Sequence, residues 1–352
     1  MSEDPVIPLF RPRYGTEELA EVEKVLAAGG TGLGPKTDEF ERAFGDWLGA
    51  PRVVGTNSGT AALHLALMML VPDATPGDEV MVPALTFVST AHVVRHIGAR
   101  PVFADVESDT GNIDPKDVAR KITPRTRAIV VVHYGGHPCE MAILNALSQE
   151  MGVPILQDAA HACGASYQGV KVGATGLTAF SFHAVKNLSM GEGGAITGHA
   201  AEEDVLLRRL RWLGVSRSTW RRSDSAGAYA WHYLVTDLGY KCHLSDVAAA
   251  IGLAQLRKLE ANNDERRRVV DIYRRELADV GAVGLPVERE GCRSAWHLFS
   301  LRVESRARRD QLFLFLRHRG ITTGVHYYPL HMQPYYRGAG ASLPVVEDLW
   351  GR

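Results

Sequence analysis

Between about residue 52 and residue 200 the chain alternates short unbroken apolar runs with longer stretches whose apolar positions recur every three or four residues. Glu79–Pro83 and residues 101–104, 128–132 and 153–156 are apolar runs of four or five residues, rich in Val and Ile. Runs of this kind mark strands buried on both faces. Residues 86–97 and 139–151 carry helical spacing between them. Two further runs, 177–182 and Gly194–Thr197, lie close enough to form neighbouring or hairpin-like strands. Strands alternating with helices predict an α/β fold class built on a largely parallel sheet.

Outside that region the pattern changes. Thr16–Ala28 reads as a helix: Thr16 is the expected cap, Glu17 and Glu18 suit the positive end of its dipole, and Gly29-Gly30 follow its last turn. The next loop, Thr31-Gly32-Leu33-Gly34-Pro35, fails the G-x-G-x-x-G fingerprint and has no strand before it. A dinucleotide site, and with it a nicotinamide dehydrogenase, is therefore rejected. Residues 245–277 predict a long helical stretch broken near Asn262-Asn263, its second part basic (Arg266, Arg267, Arg268, Arg274, Arg275) and read as a solvated face. Beyond residue 280 a strand at 296–303, a helix at 307–319 and a strand at 321–327 predict a small α+β unit. The expected organisation is a large α/β domain over residues 1–245, then linking helices and a small C-terminal domain over 246–352. No internal repeat or low-complexity stretch is visible.

Charge and composition narrow the partners. Lys and Arg total 39 against 40 Asp and Glu, so nothing in the net charge of −1 draws the chain to nucleic acid or an anionic membrane. With 45% hydrophobic and 22% charged residues, wholesale disorder is excluded. The most apolar helical run, residues 61–71, is about half the length that spans a bilayer. The opening MSEDPVIPLF lacks a basic segment followed by an apolar one, and the cysteines at 139, 163, 242 and 292 form no CxxC pair. A cytoplasmic protein with reduced thiols is expected. His92 and His96 have i,i+4 spacing but no glutamate between them, so a metal site is not expected. Asn187-Leu188-Ser189 matches a glycosylation acceptor, a reading that lapses without a secretory route.

Three segments carry candidate chemistry. In Asn57-Ser58-Gly59-Thr60-Ala61 a polar, glycine-containing turn feeds a helix. The first N–H groups of a helix lack internal partners and suit a phosphate; Gly59 would let an anion approach, and Ser58 and Thr60 add hydroxyls. A plain helix cap is the competing reading. Asp158, in Gln157-Asp158-Ala159-Ala160-His161, follows an apolar strand whose C-terminal end opens onto the ligand crevice of a parallel sheet. It is either a cap or a partner for a cationic ligand group. Lys186 stands between the apolar run 177–182 and the glycine-rich Gly191-Glu192-Gly193-Gly194. A partly desolvated amine has a lowered pKa and forms Schiff bases. A phosphate cradle, a carboxylate and such a lysine are the three handles pyridoxal 5′-phosphate requires, and Phe87 is a candidate to stack on its ring.

SGTAALHLAL, TFVST, GARPVFADV, TRAIVVVHYGG, QDAAHACGA, FSFHAVKNLSMGEGGA and GYKCHLSDVAAAIGLAQLRKL together resemble, in order, the motifs of the DegT/StrS sugar aminotransferases. HAVKNL with GEGG, GYK, and AWHLFSLRV with GITTGVHY are most similar to the UDP-4-amino-4-deoxy-L-arabinose aminotransferase type. The resemblance covers about residues 10–337. It implies the fold-type I aminotransferase architecture: a mainly parallel seven-stranded sheet flanked by helices, a small C-terminal α+β domain, and a homodimer with shared active sites. It further implies that Lys186 carries the cofactor as an imine, Asp158 partners the ring nitrogen, and His161 lies near the phenolic oxygen or ring face. Gly59, Thr60 and Ser181 would hold the phosphate, joined by Lys241 of the neighbouring subunit where most relatives have asparagine. His183, Glu192, His326, Tyr327 and His331 match positions expected on the substrate side. Relatives usually continue past the position of Arg352, so a small domain shortened at its end is expected.

The implied reaction is a ping-pong transamination from L-glutamate, giving 2-oxoglutarate, onto the C4 keto group of a nucleotide-linked sugar. An aminotransferase for 3-keto sugars or keto-cyclitols would keep the same residues. A keto-sugar dehydratase of this fold has histidine at the lysine position, and a non-catalytic regulatory protein would have no need of Lys186 and Asp158. The segment from Trp212 to Leu238 is either a substrate loop or an exposed insertion.

Overall fold

The computed structural model describes residues 6–216, 232–338 and 342–352. Among them the strands are β1 (Val53–Thr56), β2 (Glu79–Pro83), β3 (Arg100–Ala104), β4 (Thr126–Val132), β5 (Ile155–Asp158), β6 (Ser166–Tyr167), β7 (Val170–Lys171), β8 (Thr178–Ser181), β9 (Gly194–Thr197) and β10 (Cys292–Arg293). The helices are α1 (Thr16–Ala28), α2 (Pro35–Leu48), α3 (Gly59–Leu70), α4 (Ser89–His96), α5 (Pro115–Lys121), α6 (Met141–Met151), α7 (Ala201–Leu210), α8 (Asp246–Leu277), α9 (Arg306–His318) and α10 (Pro344–Gly351).

The central sheet has seven strands in the order β1-β9-β8-β5-β4-β2-β3. Only β9 runs antiparallel, to both β1 and β8; the other pairings are parallel. Successive side chains of a strand point to opposite faces, and both faces here are covered. Val80, Val82 and Val130 pack with Leu65 and Ala66 of α3 and Val93 of α4. Met81, Ile129 and Val131 pack with Val118 of α5 and Leu144 of α6 on the other side. This two-sided burial explains why the central strands read as unbroken apolar runs. A third cluster joins Phe40 and Phe44 of α2 to Phe180, Phe182 and the first half of α8.

Several expectations need correction. Gly15, not Thr16, caps α1: its N–H donates to the Glu18 carboxylate at 2.7 Å, while Thr16 is the first helical residue. α8 is unbroken across Asn262-Asn263. The buried Asn263 amide donates to the Cys163 carbonyl (3.1 Å) and accepts from Asn187 Nδ2 (2.9 Å), so it does not compete for its own helix backbone. Neither 296–303 nor 321–327 is a regular strand. The first meets turns rather than a partner strand, with Leu298 N donating to the Gly135 carbonyl and Arg302 bridging Gly284. The second makes one bridge, Ile321 to Ile7. The C-terminal helix α9 is present within a residue of its expected span. No helix among the described residues is long and apolar enough to cross a membrane.

Candidate active site

The site gathers at the C-terminal ends of β1, β5 and β8. Ser58 caps α3, its hydroxyl oxygen accepting the Ala61 N–H at 3.1 Å. The N–H groups of the first helical turn have no partner inside the helix and stand at its positive end. Gly59 has a steric role as well: a Cβ there would lie 2.6 Å from Ser181 Cβ. A Cβ on Gly194 of β9 would lie 2.5 Å from the Ser58 carbonyl oxygen. The two glycines thus let the helix start seat itself against the ends of β8 and β9, and Ser181 is buried beside it. Thr60 is exposed.

Asp158 ends β5 and is buried. One carboxylate oxygen accepts from Thr90 Oγ1 at 2.9 Å and the other from the Ala160 N–H at 3.1 Å. Thr90 is linked in turn to Thr86 (2.9 Å), both hydroxyls being buried. Burial raises the Asp158 pKa, a rise opposed by these donors and by the nearby Lys186 charge. Lys186 lies in the loop between β8 and β9, half-buried; burial lowers its pKa to about 8 against the pull of Asp158. The amine is therefore substantially neutral in mildly alkaline water.

Behind these two stands a ring cluster. His161 is buried, stacks on His297 at 4.4 Å, and meets the Tyr327 hydroxyl through Nε2 at 3.2 Å. The Gly135 N–H donates to His161 Nδ1 at 3.3 Å. A backbone N–H only donates, so Nδ1 is the acceptor and Nε2 carries the proton toward Tyr327. Burial, with the charges of His297 and Lys186, holds the His161 pKa well below its ordinary value and keeps the ring neutral. His326 is likewise lowered by burial and by Lys186, and its carbonyl accepts from Tyr134 Oη at 2.5 Å. Burial raises the Tyr327 pKa.

The remaining expected residues are placed as follows. Phe87 is 57% exposed just before α4, its ring 6.2 Å from that of Tyr327. His183 and Glu192 face each other across the lysine loop at 3.7 Å. Lys241 is exposed and its ammonium sits 3.5 Å from the Trp212 ring centroid. His331 is buried and bonds Glu347 of α10 at 3.0 Å. Of the segment 212–238, residues 217–231 lie outside the described residues. Sequence reading missed Thr90, Asn187 and His297. Asn187, next to the lysine, bonds Asn263, the Ala295 carbonyl and His297 Nδ1 at 2.9, 2.7 and 3.1 Å, pinning the lysine loop to α8. No local pattern announces such long-range partners.

A helix start with free N–H groups, a buried carboxylate and an amine of lowered pKa thus lie at the same end of the sheet. Residues 12–352 match the DegT/DnrJ/EryC1/StrS aminotransferase family. The spore coat polysaccharide biosynthesis protein SpsC of Bacillus subtilis is 40% identical over 94% of this chain and 85% of its own. Among solved structures, the sugar aminotransferase CalS13 from Micromonospora echinospora superposes with a TM-score of 0.89 at 31% identity, covering 97% of this chain and 92% of that one. The PLP form of Spr1654 from Streptococcus pneumoniae gives 0.90 at 30% identity over 99% and 92%. With a seven-stranded sheet whose strand ends carry Lys186 and Asp158, and a family match over nearly its whole length, this chain is an aminotransferase of the DegT/DnrJ/EryC1/StrS family.

Proposed function

We propose that the chain transfers an amino group from L-glutamate to the C4 keto group of a nucleotide-linked sugar, using pyridoxal 5′-phosphate, as a homodimer with shared active sites. The observation that carries this reading is a half-buried Lys186, its pKa near 8, close enough to the buried Asp158 for their charges to interact, while Asp158 has two fixed donors and, among the described residues, no ion pair. The residues present fit the cofactor. The start of α3 with Ser58, Gly59, Thr60 and Ser181 suits its phosphate, the exposed Phe87 ring its face, and Asp158 its ring nitrogen. The PLP form of Spr1654 and the description of CalS13 as a sugar aminotransferase support the cofactor and the substrate class.

When bound, the cofactor supplies an aldehyde that condenses with amines and a protonated ring that withdraws electrons. Lys186 would hold the cofactor through its amine and, once freed by the donor, would be the base placed to take the proton from the donor Cα. Asp158 would be kept charged by a protonated ring nitrogen, whose positive charge would offset the cost of its burial. His161, neutral, presents its Nε2–H to Tyr327 and to whatever oxygen lies beside them. His183, Glu192, His326 and Tyr327 border the substrate side; His331 supports α10. Lys241 would serve the partner's phosphate as a point charge. Residues 1–245 would form the cofactor domain and 246–352 the closing one.

The test is the visible absorption of the purified protein with pyridoxal phosphate. A band that L-glutamate bleaches is expected, with 2-oxoglutarate released. Lys186→Ala should bind cofactor weakly and lose turnover by several orders of magnitude; a Lys186→Ala enzyme with normal turnover overturns the assignment.

A further inference from the structure

β1 is the edge of the central sheet, bonded as a strand only to β9. An edge strand leaves backbone N–H and C=O groups without ladder partners. At Gly55, buried charged side chains take the place of those partners. The Gly55 N–H donates to Glu41 Oε1 of α2 at 2.8 Å. The Gly55 carbonyl accepts, also at 2.8 Å, from Nη1 of Arg211, the residue after α7. The same Nη1 pairs with Glu41 Oε1 at 2.5 Å, closing a three-way contact between glycine, carboxylate and guanidinium. The Glu41 and Arg211 side chains are only 6 and 4% exposed. Arg208 of α7 joins them, bonding Glu41 at 2.7 Å and the Val53 carbonyl at 3.0 Å. Burial works against the Glu41 charge, but the two guanidinium groups overcome it and hold its pKa below the ordinary carboxylate value. Gly55 is hemmed in as well: a Cβ there would lie 3.1 Å from Leu244 Cδ2 and 3.2 Å from Glu41 Oε1.

Arg211 is tied to the same stretch a second time. Its carbonyl accepts from the Cys242 N–H at 2.9 Å, and the Cys242 carbonyl accepts from the Asn57 N–H at 2.8 Å. Thr56, between the two anchored residues, bridges His243. The side chain of Arg211 thus anchors residue 55, and its backbone, through Cys242, anchors residue 57. Ser58, the cap of α3, follows immediately. Stability alone does not call for this arrangement, because a buried ion pair can often be replaced by apolar side chains without loss. Arg211 Nε is in addition buried without a partner among the described residues, which is costly. Apolar side chains could not, however, hold both the N–H and the carbonyl of one residue just ahead of the helix start that suits a phosphate.

We propose that Glu41 and Arg211 are positioning residues for the cofactor phosphate: the pair fixes residues 55–57, and with them the direction in which Ser58, Gly59 and Thr60 present their N–H groups. Both act through the backbone of β1 and not by contact with the phosphate. The proposal rests on the reading of that helix start as the phosphate site.

The test is spectroscopic titration of the cofactor-free protein with pyridoxal phosphate and with pyridoxal, which offers Lys186 the same aldehyde but has no phosphate. Arg211→Met should weaken pyridoxal phosphate binding about tenfold or more, the effect of misdirecting one bond to a charged group, and leave pyridoxal capture near the parent's. Arg211→Lys, which keeps a cation within reach of Gly55, should recover part of the loss. Glu41→Gln keeps the shape and the acceptor for the Gly55 N–H but removes the charge that holds Arg211. It should show the same selective loss in smaller degree, and it carries the test where Arg211→Met does not fold. Arg208→Met removes a bond to the same strand farther from the helix start. It should lower the urea midpoint and spare the preference for pyridoxal phosphate over pyridoxal. An unchanged preference in folded Arg211→Met and Glu41→Gln overturns the proposal. So does an equal loss of both ligands, or the same selective loss in Arg208→Met, since either would mean general loosening. If Ser58→Ala lowers pyridoxal phosphate affinity and the variants of the pair do not, the phosphate site stands and the positioning role falls. If the parent binds pyridoxal as tightly as pyridoxal phosphate, both fall.

Discussion

Asp158 is a carboxylate placed where its charge is disfavoured, and Thr90 is one of the two donors that offset this. A hydrogen bond to a charged group contributes about 1.5–3 kcal/mol, or a factor of roughly 10–100 in rate where the charge is needed. Thr90→Val keeps the shape and removes the donor. It should lower kcat about tenfold or more, and Thr90→Ser should restore most of it; a Thr90→Val enzyme with the parent's kcat refutes the role. Lys186 sets the pH dependence. Only its neutral amine is a nucleophile, and its pKa is near 8. Capture of pyridoxal phosphate by the cofactor-free protein should therefore quicken roughly tenfold per pH unit below pH 8 and level off above it. A rate still climbing toward pH 10.5 would mean an ordinary solvated lysine. Lys186 and Asp158 were legible because each follows an apolar strand and precedes a turn, where parallel sheets expose their ligands. Thr90 was not, since its meaning lies in a bond to a residue 68 positions away.

At the scale of elements, α8 separates local propensity from tertiary demand. Two consecutive asparagines predict a break, yet the helix continues for 32 residues. Asn263 joins Asn187 and Cys163 while the backbone stays helical. Asn263→Ala should gain about 0.5 kcal/mol of helix propensity. It should also lose about 1–3 kcal/mol by leaving the Asn187 amide and the Cys163 carbonyl short of partners in a buried setting. The net expectation is destabilisation, read as a lower urea midpoint at unchanged slope; a stabilised variant would show that the network carries no energy. The strands were legible for the converse reason. β2 and β9 match the expected spans because their pattern reports burial directly. The C-terminal strands failed because 296–303 bonds to turns and 321–327 makes a single bridge to Ile7, and an apolar pattern alone does not distinguish a strand partner from a loop.

At the scale of the whole molecule, the described residues leave an apolar stretch exposed just before Lys241. Leu234, Val235 and Leu238 are 56, 66 and 83% exposed within five residues, just before Lys241. Exposed apolar clusters of this kind mark contact surfaces, and the proposed homodimer supplies the cover. Removing a leucine side chain from water contributes about 1.5–3 kcal/mol. A twofold interface counts each substitution twice. Leu238→Asp replaces that gain with a carboxylate that must be desolvated, so dimer affinity should fall a hundredfold or more. Analytical ultracentrifugation should show a dimer for the parent and a substantial monomer fraction for the variant at micromolar concentration. Because Lys241 would reach the partner's phosphate, turnover should fall with dilution in step with the monomer fraction, and added pyridoxal phosphate should recover only part of it. A Leu238→Asp protein that stays dimeric would move the interface elsewhere. A monomer with full turnover would mean that the site is complete within one chain and that Lys241 belongs to its own Trp212.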